Sequence, residues 1–189
     1  MPIGQADELA QAQLLRLIAT KDKQALGDLY DQIASALFAT SVRILSDPHE
    51  AEEVIQDVFV EIWNKAPVFD DALGTAFHWA MSIARNRSID RLRSRLRRSK
   101  MLDRFQNFAP ADPVHDAPAA NGLGADEMAG VRAAVNSLPP DQRIALEMAF
   151  FKGQTHAEIA ESTGEPLGTV KARIRRGMSK LRSTLQEYA

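Results

Sequence analysis

The chain has 189 residues, 45% of them hydrophobic and only 6% aromatic, with a formal net charge of −2. That is room for one mid-sized domain or two small ones with modest cores. The absence of cysteine excludes disulfides, thiolate zinc sites and thiol redox sensing by this chain. No apolar run approaches the roughly 18 residues of a membrane span, and Met1-Pro2-Ile3-Gly4-Gln5-Ala6-Asp7-Glu8 lacks the basic start and apolar stretch of a signal peptide, so the cytoplasm is the expected location. The near-neutral sum hides a segregated distribution. Residues 47–71 hold eight acids and one base, residues 85–104 nine bases and two acids, and residues 166–182 six bases and no acid. Such blocks suit a chain that meets both a protein and a polyanion.

Nearly every patterned segment has helical period and none shows sustained alternation, which predicts an all-α chain. Residues 9–20 and 24–45 read as helices, the second with Leu26, Leu29, Tyr30, Ile33, Leu37, Ser41 and Ile44 on one face. Asp47 and Pro48 suit a helix cap and first turn, opening a helix over about 49–65. There Ala51, Val54, Ile55, Val58, Phe59, Ile62 and Trp63 form a buried stripe, while Glu53, Asp57 and Glu61 step by four along another face. Pro67 ends that helix, residues 68–75 read as a loop pivoting on Gly74, and a long helix follows to about 98. Its expected core stripe is Phe77, Ala80, Met81, Ala84, Ser88, Leu92 and Leu96, and arginines crowd its second half. Residues 101–125 turn rich in Pro, Ala, Asp and Gly and read as a linker between small helical domains at 1–100 and 126–189.

In the second half, Leu138-Pro139-Pro140-Asp141 opens a helix to about 152, with Ile144, Leu146, Met148 and Phe151 available for packing. Thr155-His156-Ala157-Glu158 is a capping-box pattern, Gly164 ends the short helix and Pro166 permits a new start. Short helix, tight glycine turn and second helix are the spacing of a helix-turn-helix. On the last helix Leu167, Val170, Ile174, Met178, Leu181 and Leu185 are expected to face the core, and Gly168, Ala172, Arg175 and Ser179 to point away, flanked by Lys171 and Arg176. Small residues interleaved with cations suit a major groove, where arginine grips guanine with two bonds. Six phosphate contacts from the cations of residues 171–182 would give a log–log salt slope of roughly −5.

These residues resemble a known family. Leu138-Pro139-Pro140-Asp141-Gln142-Arg143, Gly153-Gln154-Thr155-His156-Ala157-Glu158-Ile159-Ala160 and Pro166-Leu167-Gly168-Thr169-Val170-Lys171-Ala172-Arg173 resemble region 4 of the extracytoplasmic-function (ECF) group of bacterial RNA polymerase sigma factors. The segment Glu52-Glu53-Val54-Ile55-Gln56-Asp57-Val58-Phe59 and its continuation to Trp63 is similar to region 2.2, and residues 75–93 to regions 2.3 and 2.4. The resemblance implies that Glu53, Gln56, Asp57 and Glu61 dock on the β′ clamp helices of core RNA polymerase. It implies that the loop at 68–75, including Phe69, Asp70 and Thr75, together with Arg85, Asn86, Arg87, Asp90 and Arg91, opens the −10 element. Trp79 and Ile83 could support a base pocket there, although burial against a neighbouring helix is the expected state for both. Region 4 would read the −35 element through Lys171, Ala172, Arg175 and Arg176, with Thr169 and Arg173 toward phosphate, and its basic residues would also meet the β flap. An anti-sigma factor is an expected partner, and the lack of regions 1.1 and 3 fits the small ECF group. Acidic linker positions Asp103, Asp112 and Asp116 could mimic nucleic acid.

No phosphate loop, nucleophile elbow or catalytic dyad appears, so neither catalysis nor a cofactor is expected. His49, His78, His115 and His156 lie far apart, and His49 near Glu52 and Glu53 is better read as a helix-start residue than as a metal ligand. Two other classes fit parts of the pattern: an operator-binding helix-turn-helix regulator, and a protein-binding regulator of transcription that never touches DNA.

Overall fold

The computed structural model describes residues 5–103 and 125–186. They fall into two compact units, the first within residues 3–122 and the second within residues 123–189. Among the described residues the secondary structure is helical, with eight α-helices and two short 3-10 turns. Residues 104–124 of the expected linker, with Asp112 and Asp116, lie outside the described residues.

The first unit contains α1 (Gln5–Ala19), α2 (Lys23–Leu45), α3 (Pro48–Lys65) and α4 (Ala76–Asp103). Local chemistry sets its corners. Asp22 caps α2 by accepting from the backbone N–H groups of Gln24 and Ala25, and Ser46 closes it in the left-handed conformation. Asp47 then accepts from the N–H groups of His49 and Glu50, with Pro48 in the first turn, as the sequence implies. Leu15 and Ile18 of α1, Leu29, Ile33 and Leu37 of α2, Val54, Val58 and Ile62 of α3, and Ala80 and Ala84 of α4 share one core. Between α2 and α4 the fully buried hydroxyls of Ser41 and Ser88 lie 3.1 Å apart, each also bonded to a carbonyl one turn back in its own helix. Small residues on both helices permit that approach.

Two positions on the apolar faces read from the sequence, Leu96 of the expected core stripe and Tyr30, are half-exposed. Tyr30 is 49% exposed, with its ring tilted against Phe59 rather than enclosed. Leu96 is 50% exposed because α4 runs 28 residues against 18 for α3 and passes the end of α2, where Arg95 donates to the Leu45 carbonyl. Ile83 is buried, the state expected of it, whereas Trp79 is only half-buried, with its ring against that of Phe69 in the segment between α3 and α4.

The second unit contains α5 (Ala125–Asn136), α6 (Pro140–Phe150), α7 (His156–Thr163) and α8 (Leu167–Gln186). Helix α5 had no counterpart among the sequence expectations, because its alanine-rich pattern carries a weak apolar stripe; Ala134 is buried, as is Leu138 just beyond the helix end. The capping box is formed: the Glu158 N–H donates to Thr155 Oγ1, and the Thr155 N–H to Glu158 Oε2. Gly164 ends α7 at φ +70°, a conformation that favours glycine. On α8 the inward line runs through Val170, Ile174, Gly177 and Leu181, and Met178 and Leu167 are exposed, against expectation. The reason is close helix packing: a Cβ at Gly177 would stand 2.7 Å from the Leu146 side chain of α6. On α6, Ala145 is buried and Ile144 is 50% exposed, reversing the packing expected of Ile144.

Candidate nucleic-acid interface

In the first unit the acidic face of α3 and the arginines of α4 meet. The Arg87 Nε donates to Glu61 at 2.5 Å, and Lys65 reaches the other carboxylate oxygen at 2.6 Å. One turn along α4, Arg91 pairs with Glu53 and lies 3.8 Å from Glu50; one turn further, Arg95 pairs with Glu50 at 3.1 Å. Arginines four residues apart on α4 thus meet Glu61, Glu53 and Glu50 of α3, which are eight and three residues apart. Burial alone would raise the Glu61 carboxyl, but the hydrogen bonds and charges of Lys65 and Arg87 outweigh it and hold it below the ordinary carboxylate value. The same bonds raise Arg87 (chiefly through Glu61) and Arg91 (chiefly through Glu53). Arg85 is shifted the other way, by burial and then by the charge of Arg93. Gln56, Asp57, Asn86 and Asp90 are exposed.

The structure therefore brings two of the predicted docking acids, Glu53 and Glu61, onto two of the predicted DNA-facing arginines, Arg87 and Arg91. Glu50, Lys65 and Arg95 complete the ladder and were not singled out in the sequence. Their spacing was visible there, but which helix faced which was not.

The segment between α3 and α4 holds 3-10 turns at Ala66–Val68 and Asp71–Leu73. Phe69 is half-buried with its ring 5.4 Å from that of Trp79. Asp70 caps the second turn by accepting from the Ala72 N–H. Thr75 caps α4 by accepting from the His78 N–H, and its hydroxyl also bonds to His78 Nδ1. Gly74, at φ +143°, makes the reversal that a residue with a Cβ would resist. Within this segment Val68 and Leu73 stand 74% and 87% exposed.

In the second unit Thr169, Lys171, Arg175 and Arg176 are exposed on α8 beside half-buried Ala172. Arg173 faces inward: its guanidinium bonds Asp141 at the start of α6 and Glu165 just before α8, and Glu165 is the chief cause of its raised pKa. Lys180 donates to the Ser137 carbonyl beyond α5. Two of the six cations of residues 166–182 thus bind within the unit. If all of the remaining four met phosphate, the salt slope would be at most roughly −4 rather than −5.

Residues 29–98 match the family model of Sigma-70 region 2, and residues 129–181 that of Sigma-70, region 4. The chain is 34% identical to ECF RNA polymerase sigma factor SigK of Mycolicibacterium vanbaalenii over 91% of this chain and 87% of the relative. Identity to SigK of Mycobacterium tuberculosis is 31%, over 91% of each chain. Among solved structures, Rhodobacter sphaeroides SigE in complex with the anti-sigma ChrR is 30% identical, covering 94% of this chain and 98% of that one at a TM-score of 0.47. Among the described residues no group of histidine and acidic side chains could hold a metal ion, and no helix is long and apolar enough to cross a membrane.

Proposed function

The chain belongs to the ECF RNA polymerase sigma factors, and from that membership we propose which of its surfaces carry each step of promoter recognition. As a sigma factor it binds core RNA polymerase and directs initiation at promoters, and the reaction itself belongs to the polymerase. The first unit acts as region 2. Exposed Gln56 and Asp57, with Glu53 and Glu61 beside them, form the surface that meets the β′ clamp helices. The segment carrying Phe69, Asp70 and Thr75 and the α4 residues Arg85, Asn86, Arg87, Asp90 and Arg91 open the −10 element. Cations track the single-strand backbone while an exposed loop receives an unstacked base.

The second unit acts as region 4. The observation that carries this reading is α8: behind a formed capping box and a left-handed Gly164 turn, it exposes Thr169, Lys171, Arg175 and Arg176 around the small Ala172. A helix presented this way enters a major groove, with arginine toward guanine edges and Thr169 toward phosphate. Arg173 acts from beneath, fixing α8 to Asp141 and Glu165 before DNA arrives. Basic residues of this unit also serve the β flap. Control by an anti-sigma factor that covers these surfaces follows from the same membership, as does action in the cytoplasm.

Run-off transcription with purified core polymerase on a promoter library tests the reading. Initiation at defined start sites that requires this chain, with paired upstream elements in the selected promoters, is the expected result. Sequence-specific binding by the chain alone, without initiation, would refute it in favour of an operator-binding regulator.

A further inference from the structure

Helix α1 lies wholly before residue 29, where the match to region 2 begins, yet it is built into the unit. Leu15 and Ile18 are buried in the shared core on either side of Arg16. Just after the helix, Lys21 donates to the Trp63 carbonyl at 3.0 Å and sits 4.9 Å above the Trp63 ring, fixing α1 to the end of α3. From this anchored helix Arg16 Nη2 reaches Asp71 Oδ2 at 2.5 Å. The segment between α3 and α4 is held at its start by buried Ala66 and by Phe69 on Trp79, and at its end by Thr75. Its middle is different. The other hydrogen bonds described for residues 70–74 are internal: Ala72 to the Asp70 side chain, Leu73 to the Asp70 carbonyl and Gly74 to the Asp71 carbonyl. Those bonds shape the turn but do not set where it stands on the unit.

We propose that Arg16 is a positioning residue for −10 recognition, tying the tip of the base-receiving loop to α1 through Asp71. The proposal rests on the reading of residues 68–75 as that loop. An anchored arginine bonded to the loop's mid-point restricts its rigid-body swing before DNA binds. This lowers the ordering cost for a sequence whose base seats in the loop, while a mismatched sequence that leaves the loop unengaged gains nothing, so discrimination rises. The pair is exposed, 70% at Arg16 and 54% at Asp71, so the effect is modest: about a two- to fivefold loss of discrimination when it is broken.

The test uses holoenzyme assembled from core polymerase and full-length chain. The probes are a promoter duplex selected by the wild-type holoenzyme and its single-base −10 variants. Arg16→Glu and Asp71→Arg are each expected to lower the ratio of affinities for selected and substituted −10 sequences. Core affinity and −35 selectivity should not move. The combined Arg16→Glu, Asp71→Arg exchange should restore the ratio, which a general loss of structure would not allow. A control variant replaces residues 70–73 with a glycine-serine stretch. Unchanged discrimination in Arg16→Glu, with discrimination lost in the control, overturns the role of Arg16 and leaves the loop's role standing. Unchanged discrimination in both overturns the reading of the loop and the proposal with it.

Discussion

Glu61 is asked to serve twice, as a docking acid and as the carboxylate that ties α3 to α4, and the two roles separate experimentally. Its side chain is 13% exposed and accepts from Arg87 and Lys65, which are themselves 48% and 59% exposed. Charge-assisted hydrogen bonds contribute about 1.5–3 kcal/mol each when well shielded, but exposed pairs only about 0.2–1 kcal/mol. With the cations half in water, Glu61→Gln should cost about 1 kcal/mol in total, the lower range dominating. The sign with pH follows from the lowered carboxyl. The stabilisation is fully present above the unfolded value of about 4.3 and is lost as pH falls through the depressed folded value. Both tryptophans of the chain, Trp63 and Trp79, lie in the first unit, so urea denaturation followed by tryptophan fluorescence reports that unit alone. The expected result is a lower midpoint for Glu61→Gln at pH 7 that converges on the wild type as the pH falls below the unfolded carboxyl value and through the depressed folded one. Asp57→Asn, at an exposed position, should leave the midpoint unchanged and weaken core-polymerase binding. Equal midpoints at pH 7, or a gap that persists in acid, would refute the clamp assigned to Glu61.

Arg175→Ala and Arg176→Ala should each weaken binding to −35 duplexes in the holoenzyme, by about 1–3 kcal/mol where the lost contact is bidentate to a base; affinity measured against single-base −35 variants shows whether discrimination falls at one position. Thr155→Ala removes the cap on α7 and should destabilise the second unit by about 1 kcal/mol, read as faster amide exchange over residues 156–163. At the α2–α4 crossing, Ser88→Val adds volume to a fully buried site and should cost about 1–3 kcal/mol. Replacing Ser41 and Ser88 together with alanine removes both partners and should be nearly neutral. Urea midpoints of the two variants, again by tryptophan fluorescence, check that order.

Much of the fold was legible because helices are local objects. The Asp47-Pro48 corner, the Thr155–Glu158 box and the Gly164 turn each depend on residues within a few positions of one another, and the structure forms all three. The buried stripe of α3 was equally legible, since a long apolar run at helical period leaves little choice of face. Helix α5 was missed where alanine blurs that contrast. Met178 and Leu96 were placed wrongly because period alone cannot tell how close a neighbour comes or where it ends.

By itself, the sequence determined the helical class, the caps, the charge segregation and the motif order that marks the family, all of them properties of short stretches. Tertiary structure decided which charges remain available. Arg173 and Arg175 stand two residues apart on one helix, yet the first is held by Asp141 and Glu165 and the second is exposed. Glu53 and Glu61 share a face with Asp57, but only the packing of α4 brings Arg91 and Arg87 onto them. Arg16 reaches Asp71 across 55 residues of sequence. An ion pair depends on separation through space, and for groups on different elements that distance is fixed only when the elements pack.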